Sequence, residues 1–214
     1  MSDFKIHKNF VEEEHCLSFL KDVEENLHNF IENTNGPFRK FLRLDNTPIF
    51  NELHNLYLNK IVDVLGLNNV TIDPMLGILY SNISKGGFIH LHIDSYPPYN
   101  TKEYVNYRFN LMLNRGTGEE YNPIVENVDY QVNAGDAWSF SASSYEHETK
   151  PLCEDTPRIV LQYGFMLNKQ QYENLSGINL TDRMKEYYAK NSRNGIARSR
   201  KDFFSQSAEI LPGI

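Results

Sequence analysis

Apolar residues recur at helical spacing in two places early in the chain. Over residues 12–31, Cys16, Phe19, Leu20, Val23, Leu27, Phe30 and Ile31 fall on one stripe, and Glu12, Glu13 and Glu14 sit where negative charge complements the positive end of a helix dipole. A second stripe comprises Ile49, Phe50, Leu53, Leu56, Tyr57, Ile61, Val64 and Leu65. Thr47 is placed to cap that helix, Pro48 to occupy its first position and Gly66 to end it in the left-handed conformation. Both stripes are read as core faces, so His15, His28 and His54 on these helices receive no catalytic role. A short strand is expected at residues 4–11 and a loop from Asn33 to Pro37.

From Val70 onward the period changes from that of a helix to that of a strand. Strands are expected near residues 70–80, 87–94, 104–114, 124–133, 136–142 and 157–167. Two of them alternate clearly. Tyr107, Phe109, Leu111 and Leu113 are apolar, with Arg108, Asn110 and Met112 between them. Ile159, Leu161, Tyr163, Phe165 and Leu167 are apolar, while Arg158, Val160, Gln162, Gly164 and Met166 make a mixed face. A mixed face normally meets solvent; here it is read as lining a cavity, with the apolar face under the helices. Ser95 to Glu103, with Pro97 and Pro98, is too proline-rich for a central strand and is read as a loop at the cavity mouth. Asn133 to Asp136 is a tight turn, and Leu175 to Tyr188 is expected to be helical within a locally basic, solvated extension.

Helices followed by a run of strands indicate a mainly β chain with flanking helices. The length of 214 residues fits a single domain 1–214, divided into an N-terminal strand and helices (1–69), a β core (70–167) and a C-terminal extension (168–214). The 13 Tyr and 13 Phe favour strands. A net charge of −7 argues against electrostatic binding to nucleic acid or anionic membranes, so neither is an expected partner. Cys16 and Cys153 make no disulfide framework, and the first residues carry no apolar signal segment, so the expected setting is cytoplasmic.

The chemistry concentrates between Gly86 and Asp94, in the run Gly-Gly-Phe-Ile-His-Leu-His-Ile-Asp. His90, His92 and Asp94 alternate, and in an extended strand alternate side chains share a face. His147 offers a further imidazole, and Arg158 follows it by eleven residues at the start of an apolar strand. A lone buried His is more often a satisfied core residue than a ligand. A buried Asp, however, needs a partner, which a divalent metal supplies. Two imidazoles and a carboxylate on one face of a metal leave positions open, the arrangement suited to non-haem Fe(II) and O2.

The ordered set His92-x-Asp94, His147 and Arg158 resembles the core of the Fe(II)/2-oxoglutarate-dependent oxygenases, most closely the prolyl-hydroxylase-like and aspartyl/asparaginyl-hydroxylase-like members. The resemblance runs from about Leu76 to Leu167, a little under half the chain. It implies a double-stranded β-helix (jelly-roll or cupin-like) core with the N-terminal helices packed on one sheet. It implies Fe(II) held by His92, Asp94 and His147, and 2-oxoglutarate and O2 as cosubstrates. Arg158 is then the partner of the distal carboxylate, Asn110 and Tyr80 add hydrogen bonds to the cosubstrate, and Arg108 is a candidate for binding substrate. The implied reaction is hydroxylation of an amino acid, peptide side chain or small metabolite, with release of succinate and CO2. Halogenating relatives lack the carboxylate that Asp94 provides. Two rival readings stand beside this one: a cupin-type metalloenzyme using His90, His92 and His147 without 2-oxoglutarate, and a non-catalytic small-molecule-binding barrel.

Overall fold

The structure is a computed structural model. It describes residues 3–33, 36–95, 99 and 103–193, with side chains to residue 189. The expected loop around Pro97 and Pro98 and the end of the basic tail therefore lie largely outside the described residues.

The strands are β1 (Lys5–His7), β2 (Ile31–Glu32), β3 (Arg39–Arg43), β4 (Thr71–Ile72), β5 (Ile78–Ile83), β6 (Tyr104–Asn114), β7 (Ile124–Val125), β8 (Val128–Asp129), β9 (Ala137–Ser141), β10 (His147–Glu148) and β11 (Arg158–Asn168). The helices are α1 (Glu13–Glu25), α2 (Glu52–Leu65), α3 (Lys169–Ser176) and α4 (Leu180–Arg193). One antiparallel sheet runs β1-β9-β6-β11-β5-β3-β2, and β4 pairs with β11 beyond the end of β5. A small second sheet, β10-β7-β8, faces it. This is the mainly β, double-stranded β-helix architecture expected from the sequence.

Alternation along β6 and β11 sorts their side chains as the pattern demands. Tyr107, Phe109, Leu111, Leu161, Tyr163 and Phe165 are buried against Phe19 and Val23 of α1 and Tyr57, Ile61 and Leu65 of α2. Each such side chain withdrawn from water contributes roughly 1.5–3 kcal/mol before entropy is counted. The opposite face carries Arg108, Asn110 and Met112 on β6 and Arg158, Val160 and Gln162 on β11. Met112 and Val160 pack with Trp138 and Phe140 of β9, and the polar members line the space between the sheets.

Several boundaries differ from expectation. α2 is capped by Asn51, not Thr47: the Asn51 side chain accepts from the backbone N–H groups of Leu53 and His54, while the Thr47 hydroxyl donates to the Leu44 carbonyl in the preceding turn. Gly66 ends the helix at φ 62°, as read. α1 stops at Glu25 because the chain turns before Phe30 enters the core, and β2 and β3 follow where no strand was expected. The expected strand at 124–133 is the hairpin β7–β8, reversed at Glu126 and Asn127 with φ 52° and 62°. Residues 87–94 form no regular strand. That segment runs beside residues 147–152 through separated bonds: Leu152 N–H to the Gly87 carbonyl, Thr149 N–H to Ile89, and the reciprocal pair between His92 and His147. At the far end, the expected helix at 175–188 is split by Gly177, at φ 69°, into α3 and α4.

Candidate metal centre

The bridge between His92 and His147 brings two imidazoles of distant sequence position together, with ring centroids 4.2 Å apart and the ring planes inclined at 47°. A backbone bond from Asp94 N–H to the Ala142 carbonyl fixes the third member at the end of β9. One ligand atom from each of His92, Asp94 and His147 lies within 4.8 Å of the others, a span that suits a single ion.

Each side chain is oriented by a second partner. His92 Nδ1 lies 2.6 Å from the His90 carbonyl and His147 Nδ1 lies 3.1 Å from the Tyr145 carbonyl. A carbonyl only accepts, so both rings carry the proton on Nδ1 and present the Nε2 lone pair. Asp94 Oδ1 faces His92 Nε2 at 3.6 Å, whereas Oδ2 is held by Asn106 Nδ2 at 3.1 Å and Arg108 Nη2 at 3.3 Å. Burial by itself would raise the Asp94 pKa, but the charge of Arg108 works against it and the carboxyl stays well below its usual range. Burial, with the adjoining His92, pushes His147 down to about 3, so that ring is a neutral donor at pH 7. Two imidazole nitrogens beside an ionised carboxylate form a donor set that fits a divalent metal.

Behind Asp94 lies a buried network that the sequence reading missed. Asp73, in the turn after β4, accepts from Arg108 Nη2 at 2.9 Å and from the Tyr99 hydroxyl at 2.8 Å. Gly164 leaves the room: a Cβ there would run into Arg108 Nη1 and lie 3.0 Å from Asp73 Cβ. Arg108 thus stands between two carboxylates beside a candidate ligand, and it also lines the cleft.

The ligand set opens into a cleft of about 790 Å³, its open mouth included. Arg158, 3% exposed, lies in this cleft; its Nε donates to the Tyr121 carbonyl at 2.9 Å, and its guanidinium lies 5.5 Å from the Trp138 ring. Burial, then the positive charges of Arg39 and Arg115, push its pKa down to about 9. Asn110 lines the cleft opposite Gln162 on the neighbouring strand. Tyr80 does not reach it. Its hydroxyl is 2.9 Å from His54 Nε2 in the core beneath α2, because β5 turns Leu79 and Ser81, not Tyr80, toward the cleft. The expectation of a cosubstrate contact from Tyr80 is therefore corrected. His90 is exposed, packs its ring on Phe88 at 4.7 Å and is not gathered with His92 and His147, which leaves the cupin-type histidine set unassembled. Arg39 of β3, a residue the sequence reading passed over, also lines the cleft.

No protein-family model and no curated protein matches the chain. Solved structures do share its fold. A prolyl-4-hydroxylase from Pseudomonas putida superposes over 78% of this chain and 94% of its own, with TM-score 0.58 and 14% identity. HygX from Streptomyces hygroscopicus, solved with nickel and 2-oxoglutarate bound, covers 77% of this chain and 82% of its own, at TM-score 0.59 and 12% identity. A prolyl hydroxylase from Trichoplax adhaerens, in complex with a hypoxia inducible factor peptide fragment, covers 80% and 86%, at TM-score 0.57 and 16% identity.

Proposed function

We propose that the protein is an Fe(II)- and 2-oxoglutarate-dependent dioxygenase that hydroxylates an amino acid, a peptide side chain or a small metabolite, with release of succinate and CO2. The observation that carries this reading is the convergence of His92, Asp94 and His147 in one cleft with a buried arginine, Arg158, that has no carboxylate beside it among the described residues. The fold shared with HygX and the prolyl hydroxylases supports it by analogy of scaffold.

In this reading His92 and His147 bind the metal through Nε2 and Asp94 through Oδ1. Bound Fe(II), together with 2-oxoglutarate and O2, supplies the oxidising chemistry. The chain's own contribution is placement. The carbonyls of His90 and Tyr145 lock the imidazoles in the ligating tautomer, and Arg108 and Asn106 keep Asp94 ionised and aimed. Arg158 takes the distal carboxylate of the cosubstrate through its planar fork, and Asn110 hydrogen-bonds along its length. Trp138, Phe140 and Val160 form an apolar wall that limits water around the reacting atoms. Among the neighbours, one was solved with a peptide fragment and HygX also with hygromycin B, so this scaffold accommodates both a peptide and a small molecule.

The test is spectroscopic and chemical. Under anaerobic conditions the Fe(II) protein gains a visible absorption band when 2-oxoglutarate is added, and His147→Ala does not. In air, a panel of amino acids and peptides yields succinate together with a product heavier by one oxygen. Iron binding to the parent with no response to 2-oxoglutarate would instead favour a metalloprotein of another kind.

A further inference from the structure

Arg39 lies on β3, outside the strands that carry the candidate metal ligands, yet its side chain enters the same cleft. Across the large sheet, Arg39 and Arg158 stand opposite the same residue, Ile83 of β5, one from each neighbouring strand. Residues in register share a face, so two guanidiniums rise on the same side with their Cα atoms about 10 Å apart, twice the strand spacing. Each uses its Nε toward the protein: Arg39 donates to Ser81 Oγ at 3.2 Å and Arg158 to the Tyr121 carbonyl at 2.9 Å. The arginine ion pairs among the described residues belong to Arg43, Arg108 and Arg183. The charge of Asp94 favours the Arg39 cation, but Asp94 Oδ2 is already held by Asn106 and Arg108 and its Oδ1 faces His92 Nε2.

We propose that Arg39 and Arg158 form a two-guanidinium clamp that closes on the distal carboxylate of the cosubstrate, so that Arg39 sets selectivity for a dicarboxylate. This role rests on the 2-oxoglutarate-dependent reading of the site. A carboxylate has two oxygens and accepts from two donors at once. Arg158 also feels the like charge of Arg39 more strongly than any other, a repulsion that a shared anion relieves. Ser81 and Tyr121 aim the two side chains without supplying any counter-charge.

The experiment is calorimetric titration of the Mn(II)-loaded protein with two probes. One is 2-oxoglutarate; the other is 2-oxovalerate, which keeps the oxo-acid end and replaces the distal carboxylate by a methyl group. Arg39→Gln should weaken 2-oxoglutarate by about tenfold or more while 2-oxovalerate stays within about twofold, because only the former presents the charged acceptor that loses a donor. Arg39→Lys should recover part of the loss, since an ammonium restores the charge but not the fork. Mn(II) affinity, measured first, shows that each variant is folded. An unchanged 2-oxoglutarate affinity in Arg39→Gln overturns the clamp and leaves Arg39 to the substrate. Equal losses for both probes overturn it too, placing Arg39 at the metal end. If the parent shows no preference for 2-oxoglutarate over 2-oxovalerate, the cosubstrate reading itself fails, a result distinct from either of these.

Discussion

Replacing Arg108 with Met keeps most of the volume of the stem and removes the one cation that lies between Asp73 and Asp94. In the folded protein the side chain of Arg108 is 3% exposed, that of Asp73 0% and that of Asp94 9%, and one nitrogen, Nη2, reaches the two carboxylates at 2.9 and 3.3 Å. Water cannot substitute readily at that depth. Removing one partner from a buried ion pair costs about 3–5 kcal/mol, chiefly because the remaining charge is stranded. Two carboxylates lose this cation, but the Tyr99 hydroxyl and Asn106 continue to donate to them and offset part of the cost, so the lower half of that range is expected. A loss of about 3 kcal/mol changes the ratio of folded to unfolded protein by roughly 150-fold. Urea denaturation at pH 7 with chelator present measures it. In the same variant, Mn(II) affinity should fall by about 10–100-fold, as when a ligand loses the group that orients it. Asp73→Asn combined with Arg108→Met should cost less than the sum of the single changes, because the second removes a charge that the first has already stranded. An Arg108→Met protein within about 0.5 kcal/mol of the parent, binding Mn(II) normally, would refute the claim that Arg108 holds Asp94 in place.

Two further outcomes follow from the core beside the cleft. Tyr80→Phe should leave 2-oxoglutarate affinity unchanged in calorimetry, because the hydroxyl points to His54, and should cost about 1 kcal/mol of stability for the lost hydrogen bond; a fall in affinity would return Tyr80 to the cleft. His54, fully buried, has its pKa drawn by burial from 6.5 down to about 4, so its neutral ring stabilises the fold fully above pH 6.5. As pH falls from there toward 4, the unfolded chain takes up a proton that the folded protein refuses, and up to about 3 kcal/mol is lost. Denaturation of the parent and of His54→Gln across that interval should show the parent losing more stability; parallel curves would contradict the assignment.

What could be read in advance was whatever repeats with a local period or stands at a fixed spacing. The two helical stripes (save Leu27, Ile31, Leu56 and Val64, which stay exposed instead of joining the core), the left-handed turn at Gly66 and the alternation on β6 and β11 depend on neighbours three or four residues apart in a helix and two apart in a strand, so the chain itself records them. The combination His92-x-Asp94, His147 and Arg158 could be singled out as a candidate site because the types of side chain and their order along the chain form a specific pattern. The structure brings them into a single cleft.

Other features became determinate only in three dimensions. In Ile78-Leu79-Tyr80-Ser81-Asn82-Ile83 nearly every residue is buried, so the pattern gives no sign of which face meets the cleft. The sheet decides in favour of Ser81, and Tyr80 goes to the core. β3 carries no clear alternation that would mark a cleft face, and of its charged residues Arg39 alone lines the cleft; only its pairing with β5 shows that Arg39 stands level with Arg158. Asp73 looks like an ordinary turn residue until the chain lays it beside Arg108, and Gly164 looks like a weakness in a strand until that guanidinium needs its space. The sequence by itself marked the candidate ligands and the two long alternating strands. The tertiary structure decided which charges meet, because the partners of a buried charge come from strands far apart in sequence and no local period relates them.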